Sequence, residues 1–371
     1  MKKLIMCSLA ILLSLPIFSQ KVSKGTTTGP SAPVAKVKNV ILLIGDGMGL
    51  THLSAGMYFN NNQSQFERFP IAGLQKPSAA NDLITDSAAG ATALATGVKT
   101  YNGGISVDVD STQLKTIMEE AERRGMATGM VVTSTITDAT PASFVAHVRN
   151  RRKEEEIATW FLKSEIDFFV GGGKRYFDQR TTDTRNLYQE LKDKGFQVSD
   201  YTQQGAITPD PQKKFAYFSA ELDPPKVSEG RDYLAPMSIL AIQQLKQQSE
   251  KGFFLMVEGS QIDWGGHSNN SDYIVSEMVD FDKTVGKVLD FAAADGETLV
   301  IVTADHETGG YAINPGSEFG NIKGVFTTTN HTAQLVPVFA FGPGADLFAG
   351  IYENTAIFGK IKQVLGFLAH P

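Results

Sequence analysis

At 371 residues, with 42% hydrophobic and 20% charged side chains, the chain has the composition of a globular protein and the length to bury one large α/β core; intrinsic disorder and coiled coil are excluded. Forty Asp plus Glu against 34 Lys plus Arg leave a net charge of -6, which argues against general attraction to nucleic acid. The single cysteine is Cys7, so the rest of the chain has no disulfide and no thiolate metal ligand.

In chain order, residues 1–20 read as a secretory signal, with Lys2 and Lys3 as its charged start, Leu4 to Phe18 as its apolar centre and Ser19 as the small residue for cleavage. A periplasmic or secreted protein is expected, because no other run approaches the ~20 apolar residues of a membrane span. Residues 21–36, rich in Ser, Thr, Gly, Pro and Lys, read as a flexible leader, and 37–371 as a single domain. Within it the strand candidates are Asn39 to Ile44, Thr128 to Thr133, Ile166 to Val170, Phe253 to Val257, Thr298 to Thr303 and Val336 to Phe341. Most are continuously apolar, as strands buried on both faces are. Helical spacing joins Leu114, Ile117, Met118 and Ala121 up to a stop at Gly125, and again Ile274, Met278, Val279, Asp282 and Val285. This alternation predicts an α/β fold, a mostly parallel central sheet with helices on both faces. Over about 171–233 the pattern weakens into a partly irregular excursion at the sheet edge, and Gly171-Gly172-Gly173 reads as a turn because no Lys-Ser/Thr follows at phosphate-loop spacing.

Four motifs directly follow predicted strands, where open α/β sheets form their ligand crevice. Gly45-Asp46-Gly47-Met48-Gly49 lets the backbone turn sharply and leaves Asp46 projecting. In Thr85-Asp86-Ser87-Ala88-Ala89-Gly90-Ala91 a helix begins at Asp86 or Ser87, so Ser87 is either a helix cap or a nucleophile beside helix N–H groups. No Gly-x-Ser-x-Gly elbow is present, which argues against an α/β-hydrolase triad. Thr137-Asp138-Ala139-Thr140-Pro141 offers hard oxygen ligands, and Arg149, Arg151 and Arg152 follow as alternative phosphate clamps or a solvated basic face. The last motif is a pair: Glu258 to His267 contains Asp263 and His267 four apart, and Asp305-His306 ends another strand. Without thiols, these are the ligands a divalent zinc site would use. Of the six histidines, His267, His306 and His331 lie at strand ends or just before a strand, whereas His52 and His147 fall on predicted helices and His370 in the tail.

Together these motifs resemble the alkaline phosphatase family of metal-dependent phosphomonoesterases, in its bacterial secreted form, from about Val37 to the end. The segments that carry the resemblance also include Gly97-Val98-Lys99-Thr100-Tyr101-Asn102-Gly103, Val257-Glu258-Gly259, Thr303-Ala304-Asp305-His306 and His331-Thr332. The resemblance implies a three-layer sandwich with one catalytic domain, small-molecule phosphate monoesters as substrates, and two Zn2+ and one Mg2+ per chain. It assigns Ser87 as the nucleophile that becomes phosphorylated, and Asp263, His267 and His331 as ligands of the zinc that holds the leaving and attacking oxygens. Asp46, Asp305 and His306 match the second zinc site, and Asp138, Thr140 and Glu258 the magnesium site, with Asp46 bridging to it. Arg151, thirteen positions after Asp138, matches the phosphate-clamping arginine. The chain departs from the family at Trp264, where other members often carry Lys or His, and at Gly266, which replaces a polar residue. The short stretch from His306 to His331 implies a reduced insertion at the surface where some members form a homodimer. A phosphodiesterase or phosphomutase of the same superfamily, or a non-catalytic periplasmic phosphate- or zinc-binding protein, are the rival readings. A sulfatase is disfavoured because no Cys/Ser-x-Pro-x-Arg signature surrounds Ser87.

Overall fold

The structure, a computed structural model, describes residues 37–205 and 207–367. The signal and leader readings over 1–36, and His370, lie outside the described residues. In chain order the first half carries β1 (Asn39–Gly45), α1 (Leu50–Phe59), β2 (Ile71–Lys76), α2 (Ser87–Thr96), α3 (Ile117–Glu122), β3 (Ala127–Thr135), α4 (Ala139–Val145), α5 (Glu154–Lys163) and β4 (Phe168–Gly172). Then follow α6 (Arg175–Asp178), α7 (Leu187–Asp193), β5 (Phe196–Asp200), β6 (Lys214–Phe218), α8 (Leu234–Gln248), β7 (Phe253–Gly259), α9 (Gln261–His267), α10 (Ser271–Asp295) and β8 (Thr298–Thr303). The short strands β9 (Glu307–Thr308), β10 (Ala312–Ile313), β11 (Gly324–Val325) and β12 (His331–Thr332) precede β13 (Val336–Phe341), β14 (Gly350–Glu353) and α11 (Thr355–Val364).

Ten strands form one sheet in the order β14-β2-β13-β8-β1-β7-β3-β4-β6-β5. All neighbours pair in parallel except β13, which runs antiparallel to both β2 and β8. Side chains alternate across a strand, so Val40, Leu42 and Ile44 of β1 join one core with Leu94, Ile117, Phe144 and Phe161. Ile41 and Leu43 face the opposite layer, with Ile242, Met278 and Phe281 from α8 and α10. Helices therefore seal both faces, as the continuously apolar strands predict.

The structure refines several boundaries. The helix expected around Leu114 starts at Ile117, because Thr116 caps it reciprocally with Glu119. His147 lies past the end of α4, beside the isolated bridge between Ile105 and Val148, and its ring is held by the Ser106 carbonyl and Glu119. The stretch over about 171–233 carries α6, α7 and the parallel strands β5 and β6, which prolong the sheet beyond β4. Their sequences, Phe-Gln-Val-Ser-Asp and Lys-Phe-Ala-Tyr-Phe, mix polar and apolar residues, as strands at and next to a sheet edge do.

Candidate active site

Strands β8, β1, β7 and β3 are consecutive in the sheet and parallel. Their carboxyl ends therefore lie side by side and present Asp305 and His306, Asp46, Glu258 and Asp263, and Asp138 and Thr140 along one edge. Gly47 makes the turn after β1: its φ is +69°, and a Cβ there would lie 2.8 Å from the Asp263 Cα, so only glycine fits. His331 arrives from further along the chain, because β12 pairs antiparallel with β9 and sets His331 opposite Thr308.

Asp263, His267 and His331 converge closely enough to share one metal ion. The Nδ1 of His267 lies 2.6 Å from the Thr329 carbonyl oxygen, and that of His331 lies 2.8 Å from the carbonyl oxygen of Thr85. A carbonyl only accepts, so each Nδ1 carries the proton and, in the neutral ring, each Nε2 keeps its lone pair. The two Nε2 atoms face one another at 3.1 Å, an arrangement with no shared proton unless one ring is charged. A cation between them satisfies both. In the metal-free chain a proton serves instead: the hydrogen bond to Asp263 pushes His267 up to about 9. Burial opposes ionisation of Asp263, yet His267 and the neighbouring imidazoles hold its carboxyl below the usual range.

Asp46, Asp305 and His306 form the second convergent trio, fully inside the protein. Asp46 Oδ1 and Asp305 Oδ2 are buried without a hydrogen-bond partner, as are Thr140 Oγ1 and Glu258 Oε2 nearby. Orphaned buried carboxylate oxygens are costly and fit a cation held between them. Burial raises the Asp46 carboxyl well above its ordinary range, and Asp305 and Asp263 add to it. Burial also lifts Asp305 to about 7 and, helped by Asp138, raises Glu258. His306 Nε2 sits 3.4 Å from Asp46 Oδ1 and 3.2 Å from Asp305 Oδ2, and its ring stacks on His331 at 3.5 Å between centroids. The two trios thus share a wall.

Ser87 is the first residue of α2, and its Oγ lies 3.2 Å from Nε2 of His306. The helix is capped by Asp86, whose side chain accepts from the Ala89 N–H at 2.9 Å. Arg151 bridges Asp86 at 3.3 Å and Asp138 at 3.0 Å, whereas Arg149 and Arg152 are exposed. The carboxylates hold the Arg151 guanidinium charged against its burial. Ser87, Arg151 and the nine residues named as metal ligands meet at this edge, whereas the alternative clamps Arg149 and Arg152 do not. Two partners were not singled out there: Asp86 as the arginine's ligand, and Thr308, whose hydroxyl contacts both Asp263 and His306. A threonine two residues past a histidine carries no spacing signal of its own.

The family model for alkaline phosphatase matches residues 37–325. The chain is 33% identical to alkaline phosphatase 3 of Bacillus subtilis, over 90% of each chain. Among solved structures it is similar to the alkaline phosphatase of the Antarctic bacterium TAB5, at a TM-score of 0.85 and 44% identity, covering 90% of this chain and 100% of that one. A histidine-to-aspartate mutant of the TAB5 enzyme with Mg bound in its M3 site gives a TM-score of 0.83 and 45% identity, covering 90% and 99%.

Proposed function

This chain belongs to the alkaline phosphatase family, and from that premise we propose that it is an exported phosphomonoesterase that hydrolyses phosphate monoesters through a phosphoserine on Ser87. The observation that carries the reading is the placement of Ser87 Oγ at a helix start, 3.2 Å from His306 and flanked by Arg151 on the Asp86 side. Asp263, His267 and His331 would hold one zinc, and Asp46, Asp305 and His306 a second. Asp138, Thr140 and Glu258 would hold a magnesium with Asp46 shared; the orphaned oxygens of Thr140 and Glu258 support this third site, as does the Mg bound to the TAB5 mutant. Bound there, the ions supply positive charge opposite the entering, leaving and equatorial oxygens and lower the pKa of water.

The chain's own residues do the rest. The planar fork of Arg151 grips two non-bridging oxygens, and the free N–H groups of the first turn of α2 face the same phosphate. Ser87 Oγ attacks phosphorus in line; a new P–O bond forms to the serine as the ester P–O bond breaks, and the alcohol leaves with a proton. Water then attacks the same phosphorus, the P–O bond to Ser87 breaks, and inorganic phosphate departs with the serine hydroxyl restored. Acid quenching with a labelled monoester, followed by peptide mapping, tests the reading. Label on Ser87 and preference for nitrophenyl phosphate over its bis ester are expected; label on another residue, or a preference for the diester, would overturn it.

A further inference from the structure

One buried hydroxyl touches both metal trios. Thr308 is wholly buried on β9, its Oγ1 lies 2.5 Å from Asp263 Oδ1, and the same atom lies 3.2 Å from Nδ1 of His306. A hydroxyl has a single proton and two lone pairs. The Asp263 carboxylate only accepts, so it takes that proton. The contact with His306 must then run the other way, from the ring N–H to the hydroxyl oxygen. This fixes the His306 tautomer with the proton on Nδ1 and leaves Nε2 free toward Asp46 and Asp305.

The surrounding chain holds Thr308 in this pose. Its N–H donates to the Gly47 carbonyl oxygen at 3.2 Å. A Cβ on Gly47 would stand 2.7 Å from the Thr308 hydroxyl, and one on Gly266 would stand 2.8 Å from the Thr308 methyl. Two glycines on different elements therefore wall the side chain, which gives a physical reason for glycine at 266.

Resting on the functional reading above, we infer that Thr308 is a positioning residue that orients one ligand of each zinc trio, Asp263 and His306, through a single hydroxyl. A residue present only to fill space would be replaced without loss by valine, which has the same shape and no hydroxyl. Thr308→Val should instead weaken both zinc ions, because Asp263 loses a donor and His306 loses the acceptor that selects its tautomer.

The test titrates zinc into chelator-stripped protein against a chromophoric competitor, for wild type, T308V and T308S, with circular-dichroism melting of each stripped form. Two zinc ions in wild type, both bound about 10–100-fold more weakly by T308V, and near-wild-type binding by T308S are expected. The stripped variants should melt like the stripped wild type; if T308V does not fold, T308A, which clashes with nothing, takes its place with the same expectation. Unchanged binding in the hydroxyl-free variant, loss at one zinc alone, or a T308S as weak as T308V each overturns the inference while leaving the family function standing. A wild-type chain that takes up no zinc overturns the functional reading and the inference with it.

Discussion

Ser87 opens α2 without capping it, and this separates chemistry from stability at a single position. Losing a helix cap costs ~0.5–2 kcal/mol, but Asp86 is the cap, so Ser87→Ala should leave the melting temperature nearly unchanged. Turnover should nevertheless fall more than about 10³-fold, because a methyl group cannot form the phosphoester. Steady-state kinetics beside a thermal melt decide this; a variant that keeps ordinary turnover removes Ser87 from the mechanism. Arg151 poses a different question, since it is pinned between Asp86 and Asp138 and leaves phosphate-binding capacity in its fork. Arg151→Ala should raise the KM for monoester and the inhibition constant for inorganic phosphate together, by the ~1.5–3 kcal/mol of a charge-assisted contact. Arg149→Ala, at an exposed position whose carbonyl accepts from Tyr101, should do neither. The reverse pattern would reassign the clamp.

The elements that place these residues differ in how plainly the sequence announces them. β1, β3, β7 and β8 are buried on both faces; β1, β7 and β8 each carry a long apolar run and β3 a shorter one at Met130–Val132, and the residues at their ends could be named in advance. β2 and β14 could not, since Ile-Ala-Gly-Leu-Gln-Lys and Gly-Ile-Tyr-Glu are short, half-exposed and stabilised only by pairing at the sheet margin. The site was legible for the same reason the central strands were: a carboxylate or histidine right after an apolar strand stands out. Asp86 as the arginine's partner and Thr308 between the trios stayed hidden because their roles depend on contacts 65 and 45 residues away. The α2 start joins both kinds of information. Asp86→Ala should destabilise the fold by ~0.5–2 kcal/mol through the lost cap and, unlike Ser87→Ala, should retain a phosphoenzyme, with weaker phosphate binding once Arg151 loses a partner. Urea unfolding and acid-quench labelling of the two alanine variants check the contrast, and equal unfolding midpoints would place the cap elsewhere.

At the scale of the whole molecule, the sheet gathers carboxylates at one edge that the metal-free chain cannot comfortably ionise. Asp305 is lifted to about 7 from an ordinary 3.8, and Asp46 and Glu258 are raised in the same direction by burial and by one another's neighbours. His267, held by Asp263, is lifted to about 9 from 6.5. In each case the folded, metal-free protein keeps a proton that the unfolded chain has already released. Stability therefore falls as pH rises. For Asp305 the contribution is complete below its unfolded pKa and is lost as pH climbs through about 7; for His267 it is complete below about 6.5 and lost through about 9. His306 and His331 are shifted down by burial, so their opposing effect is confined to more acidic solution; Asp305's loss is largely complete by pH 6.5, and the window from about pH 6.5 to 9 isolates the loss at His267. Cations in the trios replace those protons and remove the penalty. Chelator-stripped protein should thus melt at least about 5 °C lower at pH 9 than at pH 6.5, the metal-loaded protein should show a much smaller drop, and added zinc should raise the melting temperature more at pH 9 than at pH 6.5. A stripped protein whose melting temperature is flat or rises across that window would mean that Asp263 does not hold a proton on His267 in the folded chain, and that this trio is not built around a cation.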